Sequence, residues 1–210
     1  MTITKKTRLL PPFIGTRIKI KLDDPESLEW GIYHVGLADG CSAATIDWGD
    51  GVRTKLTENG QPTHGYAKTG EYEVHISDDI SSIAFSAKTT TSVFRLVYVP
   101  MIRSFRTTAR HLATLNANCF YNAENLADYH DEGQGLHTLD SRAFGLCPSL
   151  RGRLDLPHGN CLAANAFISS PGITELHFGV ANEDAIKALP AWSTSGGKFA
   201  AENAEVFFDL

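Results

Sequence analysis

The chain has 210 residues and a formal net charge of −5, with 42% hydrophobic and 20% charged residues. This composition is ordinary for a globular protein and argues against a disordered or fibrous chain. Residues 1 to 97 contain 11 Lys and Arg against 12 Asp and Glu, and residues 98 to 210 contain 8 against 12. Because neither part is basic, we expect no nucleic-acid binding.

The N-terminal segment "MTITKKTRLLPPFIGTRIKIKL" has lysines, but Pro11 and Pro12 interrupt its short apolar stretch. It therefore predicts no Sec-type signal peptide. The sequence has no uninterrupted apolar window of about 18 residues, so we expect no membrane insertion. The cysteines form no CxxC pair and lack zinc-ligand spacing, which predicts free thiols. They are Cys41, Cys119, Cys147 and Cys161.

Residues 1 to 97 consist of short strand-like runs separated by turn formers. The run "RIKIKL" (17 to 22) has the period of two that places Ile18, Ile20 and Leu22 on one face. The runs "LEWGIYHVGL", "ATIDW", "VRTKL", "EYEVHI" and "SIAFSA" follow, each next to Gly, Asp, Asn or Ser. Six or seven short strands without an amphipathic helix predict a β-sandwich over residues 1 to 97.

The stretch "TIDWGDGVRT" (45 to 54) concentrates aspartate, glycine and tryptophan. Asp50-Gly51 is typical of a two-residue hairpin turn. Trp48 is expected to point into the core, and Asp47 to accept backbone N–H groups in the turn. A calcium site is the alternative, but no third carboxylate follows at an EF-hand-like spacing. We therefore favour a structural hairpin formed by Asp47, Trp48, Asp50 and Gly51 and predict no metal there.

Together with "PTHGYAKTGEYEVHI" (62 to 76), this hairpin resembles the polycystic-kidney-disease (PKD) family of immunoglobulin-like domains. Family members combine a "WDFGDG" hairpin with a "HTYAKPGTYTVTL" segment, and Gly65 stands here in place of the usual Thr. The matching positions are His64, Tyr66, Gly70, Tyr72 and Val74. The match covers residues 45 to 76, and it implies a seven-stranded sandwich used as a spacer or adhesive module.

Residues 98 to 210 contain a repeat with a period near 24. Phe120, Phe144 and Phe167 are separated by 24 and 23 residues. A column of Leu115, Leu139 and Leu162 lies five residues earlier, and one of Leu126, Leu150 and Ile173 lies six residues later. One such unit cannot cover its own apolar face, so the columns predict stacked repeats with continuous core ladders.

The repeat sequence "LHTLDSRAFGLCPSL…LDLP" resembles the BspA-type leucine-rich repeats of bacterial surface proteins. The resemblance implies about three repeats over residues 113 to 178 and a location at the bacterial surface or outside the cell. Family members often carry many more repeats and a secretion signal, so the compartment stays open, with a non-Sec route as one possibility. The stretch "ANEDAIKALPAW" (181 to 192) predicts a short helix that ends before Pro190, and "AEVFFDL" predicts a strand. Together they predict a C-terminal cap over residues 179 to 210.

Each repeat is expected to add one strand to a parallel sheet, at "YHD" (129 to 131), "LDL" (154 to 156) and "LHF" (176 to 178). His130, Asp155 and His177 would then form an outward ladder with a spacing of about 4.8 Å. Two imidazoles beside a carboxylate suit a metal or part of a hydrolytic triad, but no nucleophile motif accompanies them. The candidate binding residues are His130, Arg153, Asp155, Glu175 and His177. The glycine-rich stretch 129 to 137 is read as a solvated loop.

These patterns predict a non-catalytic recognition or adhesion protein that needs no cofactor. It would bind a protein or a glycan through the repeat sheet or the sandwich loops. The alternative is a structural component, with neighbouring subunits of an appendage, a phage-like tail or an injection device as its partners. A hydrolase is the least favoured reading, because no catalytic motif is present.

Overall fold

The computed structural model describes residues 13 to 26, 28 to 86 and 98 to 210. The protein is mainly β, with 38% strand, 9% helix and several mixed sheets. The predicted fold class is therefore confirmed at this level. Three sequence interpretations fall partly outside the described residues. They concern the signal-peptide reading of residues 1 to 12, the end of the "SIAFSA" run at residue 87 and the domain boundary at residue 97.

The described part of the first region contains eight strands. They are β1 (Gly15–Leu22), β2 (Glu29–Gly31), β3 (His34–Leu37), β4 (Ala44–Asp47), β5 (Arg53–Leu56), β6 (Thr63–Gly65), β7 (Gly70–Ser77) and β8 (Ile80–Ala84). In β1, Ile18, Ile20 and Leu22 are buried as the alternation predicts. The run from 28 to 37 divides into β2 and β3, and β6 has only three residues, too few for a periodic pattern.

The second region also contains eight strands. They are β9 (Ile102–Thr107), β10 (Thr114–Leu115), β11 (Asp128–Asp131), β12 (Thr138–Leu139), β13 (Gly152–Leu156), β14 (Cys161–Leu162), β15 (Ile173–Phe178) and β16 (Glu205–Phe208). The helices are α1 (Glu183–Lys187) and α2 (Pro190–Thr194), with 3-10 turns at Val99–Met101 and Val180–Asn182. As predicted, the helix that follows residue 181 ends before Pro190, with its last residue at Lys187. A second helix begins at Pro190, because proline fits the first turn of a helix.

Two sheets contain strands from both regions. The six-stranded sheet has the order β11-β9-β1-β7-β4-β5, and the five-stranded sheet has the order β14-β12-β10-β8-β3. Strand β9 pairs antiparallel with β1 and parallel with β11, while β8 pairs parallel with β10. The strands β13, β15 and β16 form a separate parallel sheet, and β2 pairs with β6. The division at residue 97 stays a prediction, but the two regions share hydrogen-bonded sheets.

One row of buried aromatic rings also connects the two regions. It runs in spatial order through Trp48, Trp30, Phe85, Phe120, Phe144 and Phe167, with centroid separations of 6.3, 6.0, 5.2, 5.2 and 5.5 Å. All six side chains are fully buried. The repeated phenylalanine column therefore forms a stack, and Phe85 extends that stack to the tryptophans of the first region.

All four cysteines lie in the described residues and are free thiols. Cys119 and Cys147 are buried in the core next to this aromatic row. Burial raises the pKa of the Cys147 thiol to about 12, so the thiol is protonated at neutral pH. Protonated buried thiols are poor nucleophiles, and these two residues act as small packed side chains.

Candidate functional site

The hairpin that joins β4 and β5 has a three-residue loop. The Trp48 amide donates to the carbonyl of Val52 at 3.0 Å, so this pair closes the hairpin and residues 49 to 51 form its loop. The predicted two-residue turn is therefore wrong in length. Gly49 and Gly51 both have positive φ, and a Cβ atom on Gly49 would lie 2.6 Å from the carbonyl oxygen of Glu73. The close packing of β7 against this loop explains why glycine is required at residue 49.

Internal hydrogen bonds occupy both aspartates of the hairpin. Asp47 accepts the Gly49 amide at 3.0 Å and the Arg53 Nε at 2.8 Å, and the Arg53 bond is the main cause that lowers the pKa of Asp47. Asp50 accepts the Val52 amide at 3.0 Å and lies 2.8 Å from His64 Nε2. Burial acts to raise the pKa of Asp50, but these two bonds outweigh burial and lower it. Both carboxylates therefore stabilise the hairpin.

His64 connects this hairpin to β6. Its ring stacks on the ring of Trp48 at 5.2 Å and meets Tyr66 edge-on at 4.6 Å. The Tyr66 hydroxyl in turn donates to the carbonyl of Trp48 at 3.1 Å. The residues that carry the sequence motif thus contact one another and fix the position of Trp48. Within the residues that the structure describes, no group of three or more His, Cys, Asp and Glu side chains is arranged to hold a metal ion.

Charged side chains cover the outward side of the parallel strands in the second region. We call this surface the charged face and define it as Arg106, Asp128, His130, Arg153, Asp155 and Glu175. Asp128 joins two of its members, because its carboxylate lies 2.7 Å from Arg106 Nη2 and 2.7 Å from His130 Nε2. Arg153 Nε donates to Asp155 at 2.5 Å. The face therefore presents alternating charges held by ion pairs.

The predicted ladder of His130, Asp155 and His177 forms only in part. Asp155 and His177 are direct cross-strand neighbours, and His130 and Asp155 are both exposed. However, β11 belongs to the six-stranded sheet and β13 to the three-stranded sheet, so His130 is not in the same hydrogen-bonded ladder. His177 is only 3% exposed, which contradicts its predicted solvent-facing position. Phe207 of β16 stacks on its ring at 4.5 Å and covers it.

Carboxylates occupy both ring nitrogens of His177. Nδ1 lies 2.7 Å from an oxygen of Asp209, and Nε2 lies 2.9 Å from an oxygen of Glu175. Because a carboxylate only accepts, both hydrogen bonds form when the imidazole carries two protons. A ring held in this way offers no free nitrogen to a metal or to a substrate. His177 instead connects β15 to the residues that follow β16.

Replacing His177 with alanine should lower the free energy of unfolding by about 1–3 kcal/mol, a range typical of a buried residue with specific partners. The change removes the stacking on Phe207 and leaves Glu175 and Asp209 without their shared partner. The charge contribution is partly screened, because those carboxylates are 45% and 50% exposed. Urea unfolding measures the effect. His130→Ala, an exposed matched control, should change stability by less than about 0.5 kcal/mol, and equal losses would contradict a buried connecting role.

Asp131 does not lie in a solvated loop as the glycine-rich stretch predicted. It belongs to the inward side of β11, where it is 7% exposed. One carboxylate oxygen accepts the Gly133 amide at 3.0 Å, and the other has no hydrogen-bond partner within the described residues. Burial raises the pKa of this carboxyl to about 7, although the bond from Gly133 acts to lower it. A carboxyl that is only partly ionised at neutral pH is therefore built into the edge of the six-stranded sheet.

Sequence patterns also missed a second part of the charged surface. Arg17 of β1 lies directly opposite Arg106 of β9, beside a surface pocket of about 250 Å³. The strand alternation of "RIKIKL" places Arg17 outside the core, but it does not identify the strand beside it. Arg17 and Arg106 meet only through the pairing of β1 with β9, which joins residues distant in sequence and which the sequence pattern does not reveal.

No family model matches the chain, and no curated protein or solved structure matches it significantly. In residues 13 to 26, 28 to 86 and 98 to 210, no helix is long and apolar enough to cross a membrane. The charged face and the adjoining pocket are thus the features from which a function can be inferred.

Proposed function

We propose that this chain is a non-catalytic recognition protein that binds a protein or glycan through its charged face. In this proposal, the first region is a PKD-like immunoglobulin sandwich and the second is a short BspA-type leucine-rich-repeat stack with a C-terminal cap. The parallel pairing of β8, β10, β12 and β14 and the stacked phenylalanine column support the repeat assignment. The contacts among Trp48, Asp50, His64 and Tyr66 support the PKD-like assignment.

The observation that carries the proposal is the exposure of charged residues that contribute little to folding. The Arg153 and Asp155 side chains are 46% and 49% exposed, and such surface ion pairs contribute about 0–1 kcal/mol. The charged face as a whole distributes its donors and acceptors over the strands β9, β11, β13 and β15. The sheet surface is also where repeat proteins usually bind their partners. A role in partner recognition therefore accounts better for this face than a role in stability does.

The double variant Arg153→Gln/Asp155→Asn should keep the fold and lose binding. We expect the free energy of unfolding to change by less than about 1 kcal/mol. Affinity for partners captured from glycan and surface-protein panels should fall about tenfold or more, as the loss of charge-assisted contacts predicts. Surface plasmon resonance with the immobilised full chain measures the affinity. Lys68→Gln, an exposed loop change, serves as the control, and unchanged binding by the double variant would remove this face from the proposal.

A second candidate function is that of a structural component in a larger assembly. Strand β5 is the outer strand of the six-stranded sheet, and β16 is the outer strand of the three-stranded sheet. Outer strands present backbone groups that can pair with another chain. Light scattering distinguishes the two functions, because a stable oligomer at micromolar concentration favours the assembly and a monomer favours the recognition protein.

A further inference from the structure

A single row of side chains crosses the outer face of the six-stranded sheet, with one residue from each strand. In cross-strand register, the row consists of Arg53, Asp47, His75, Arg17, Arg106 and His130. We call these residues the basic row, because five of the six are basic. At about 4.8 Å per strand, the row is about 24 Å long. The basic row and the charged face share two residues, Arg106 and His130.

Arg17 differs from the other basic residues of the row, because it has no ion pair in the described part of the chain and interacts with Glu73 only at longer range. Four basic members have a carboxylate close by, in the pairs Arg53–Asp47, His75–Glu73, Arg106–Asp128 and His130–Asp128, all between 2.7 and 2.8 Å. Within the described residues, Arg17 forms no salt bridge, and its guanidinium lies 5.2 Å from the centre of the Phe13 ring. It also faces Arg106 directly across the strands, and like charges in such positions destabilise a sheet. Folding alone does not account for this pair of arginines.

A pocket of about 250 Å³ lies beside the two arginines. Its lining consists of Phe13, Gly15, Arg17, Arg106, Thr107, Thr108, His130 and Glu132. Glu132 is exposed and forms no salt bridge in the part of the chain that the structure describes. The pocket is smaller than the range of about 300–1,000 Å³ that is typical for drug-sized ligands. It therefore suits one small polar unit of a longer ligand that continues along the sheet.

We propose that this pocket binds a uronic-acid residue of an acidic polysaccharide, with Arg17 and Arg106 contacting its carboxylate. Guanidinium groups bind carboxylates through strong paired hydrogen bonds. Glu132 and His130 provide hydrogen-bonding groups for sugar hydroxyls, and the half-buried Phe13 ring offers an apolar surface beside them. The inference rests on the proposed function, since it names the ligand class for the sheet surface that includes Arg106 and His130.

The balance of charges favours a saccharide over an acidic peptide. Asp47, Glu73, Asp128 and Glu132 lie along the same surface as the basic residues. An ionised acidic peptide offers these carboxylates no side-chain donor, because its own carboxylates only accept hydrogen bonds. The protein's carboxylates can accept hydrogen bonds from sugar hydroxyls, while Arg17, which has no ion pair among the described residues, attracts the carboxylate of the sugar.

Calorimetric titration of the full chain with oligogalacturonate tests the proposal. A neutral galactose oligosaccharide of the same length and an oligoglutamate of the same charge are the comparison ligands. We expect oligogalacturonate to bind at least about tenfold more tightly than either one, and to bind more weakly as salt screens the arginines. Arg17→Gln should reduce that affinity about tenfold or more. Arg151→Gln, a matched change of an exposed arginine outside the basic row, should reduce it less than about twofold.

Four results would overturn the proposal, and three of them come from the saccharides and the arginine variants. These three are an absence of oligogalacturonate binding by the folded wild type, equal binding of the neutral oligosaccharide, and equal losses in the two arginine variants. Tight binding of oligoglutamate would identify an acidic peptide as the ligand and would also overturn the saccharide class. The failure of the broader recognition function has a separate signature, namely partner capture that is insensitive to Arg153→Gln/Asp155→Asn.

Discussion

Replacing Phe144 with alanine should lower the free energy of unfolding by about 3–5 kcal/mol, the usual cost of removing a buried phenylalanine ring. Phe144 is fully buried in the centre of the repeated column. Its ring stacks between Phe120 at 5.2 Å and Phe167 at 5.5 Å, and Tyr129 meets it edge-on at 5.0 Å. The resulting cavity would interrupt the stack on both sides, because each repeat buries its apolar face only against its neighbours. Urea unfolding followed by circular dichroism measures the loss.

Two further variants isolate the cause of this effect. Phe144→Leu retains most of the apolar volume and should be less destabilising than Phe144→Ala. Val52→Ala removes apolar atoms at a residue that is 46% exposed, and it should change stability by less than about 0.5 kcal/mol. A loss below about 1 kcal/mol for Phe144→Ala would show that the phenylalanine stack is not the main core of the second region.

The same stack predicts that the two regions unfold together. Phe85 of the first region contacts Phe120 at 5.2 Å, and β8 pairs with β10. A cavity at Phe144 should therefore shift one common transition and leave no separate transition for the first region. Because the two regions share sheets and a continuous core, the stability of each depends on the other, although their sequence patterns differ.

Local periodicity predicted the features that depend on residues close in sequence. The period of two in β1 identified the buried side of that strand, and the period near 24 identified the phenylalanine stack. Both patterns follow directly from geometry, because a strand alternates its side chains and a repeat must stack on its neighbour. The alignment of the repeats also predicted strands at 129 to 131, 154 to 156 and 176 to 178, and β11, β13 and β15 contain these segments.

Features that depend on distant residues were not predictable in this way. Arg17 opposes Arg106 only because β1 pairs with β9, and His177 is buried only because Phe207 and Asp209 cover it. The continuation of the sheets from the first region into the second is likewise a property of strand pairing. The strand pattern therefore identified four members of the charged face, but it also suggested His177, which solvent hardly reaches. Those four members are His130, Arg153, Asp155 and Glu175.

Replacing Asp131 with asparagine should stabilise the protein at alkaline pH and leave its stability unchanged in acid. The pKa of Asp131 is about 7 in the folded protein, against 3.8 for an ordinary aspartate. At about 1.4 kcal/mol per pH unit, this shift corresponds to about 4 kcal/mol. The asparagine side chain keeps an oxygen for the Gly133 amide but cannot ionise. The prediction thus isolates the cost of burying a charged carboxylate.

The sign of the effect follows from proton binding. Below about pH 4 the carboxyl is protonated in both states, so the wild type and the variant should be equally stable. Between about pH 4 and pH 7 only the unfolded chain ionises, so the wild type loses stability relative to Asp131→Asn, and above pH 7 the difference is constant. Urea unfolding at pH 4, 6 and 8 measures the free energy of unfolding of both proteins. Carboxylates whose pKa is lowered, such as Asp47 and Asp50, contribute equally to both proteins, so their contribution cancels in the difference. Gln134→Ala, at a nearby exposed residue whose side chain cannot ionise, should show no such trend. A difference between Asp131→Asn and the wild type that does not vary with pH would exclude the ionisation of Asp131 as its cause.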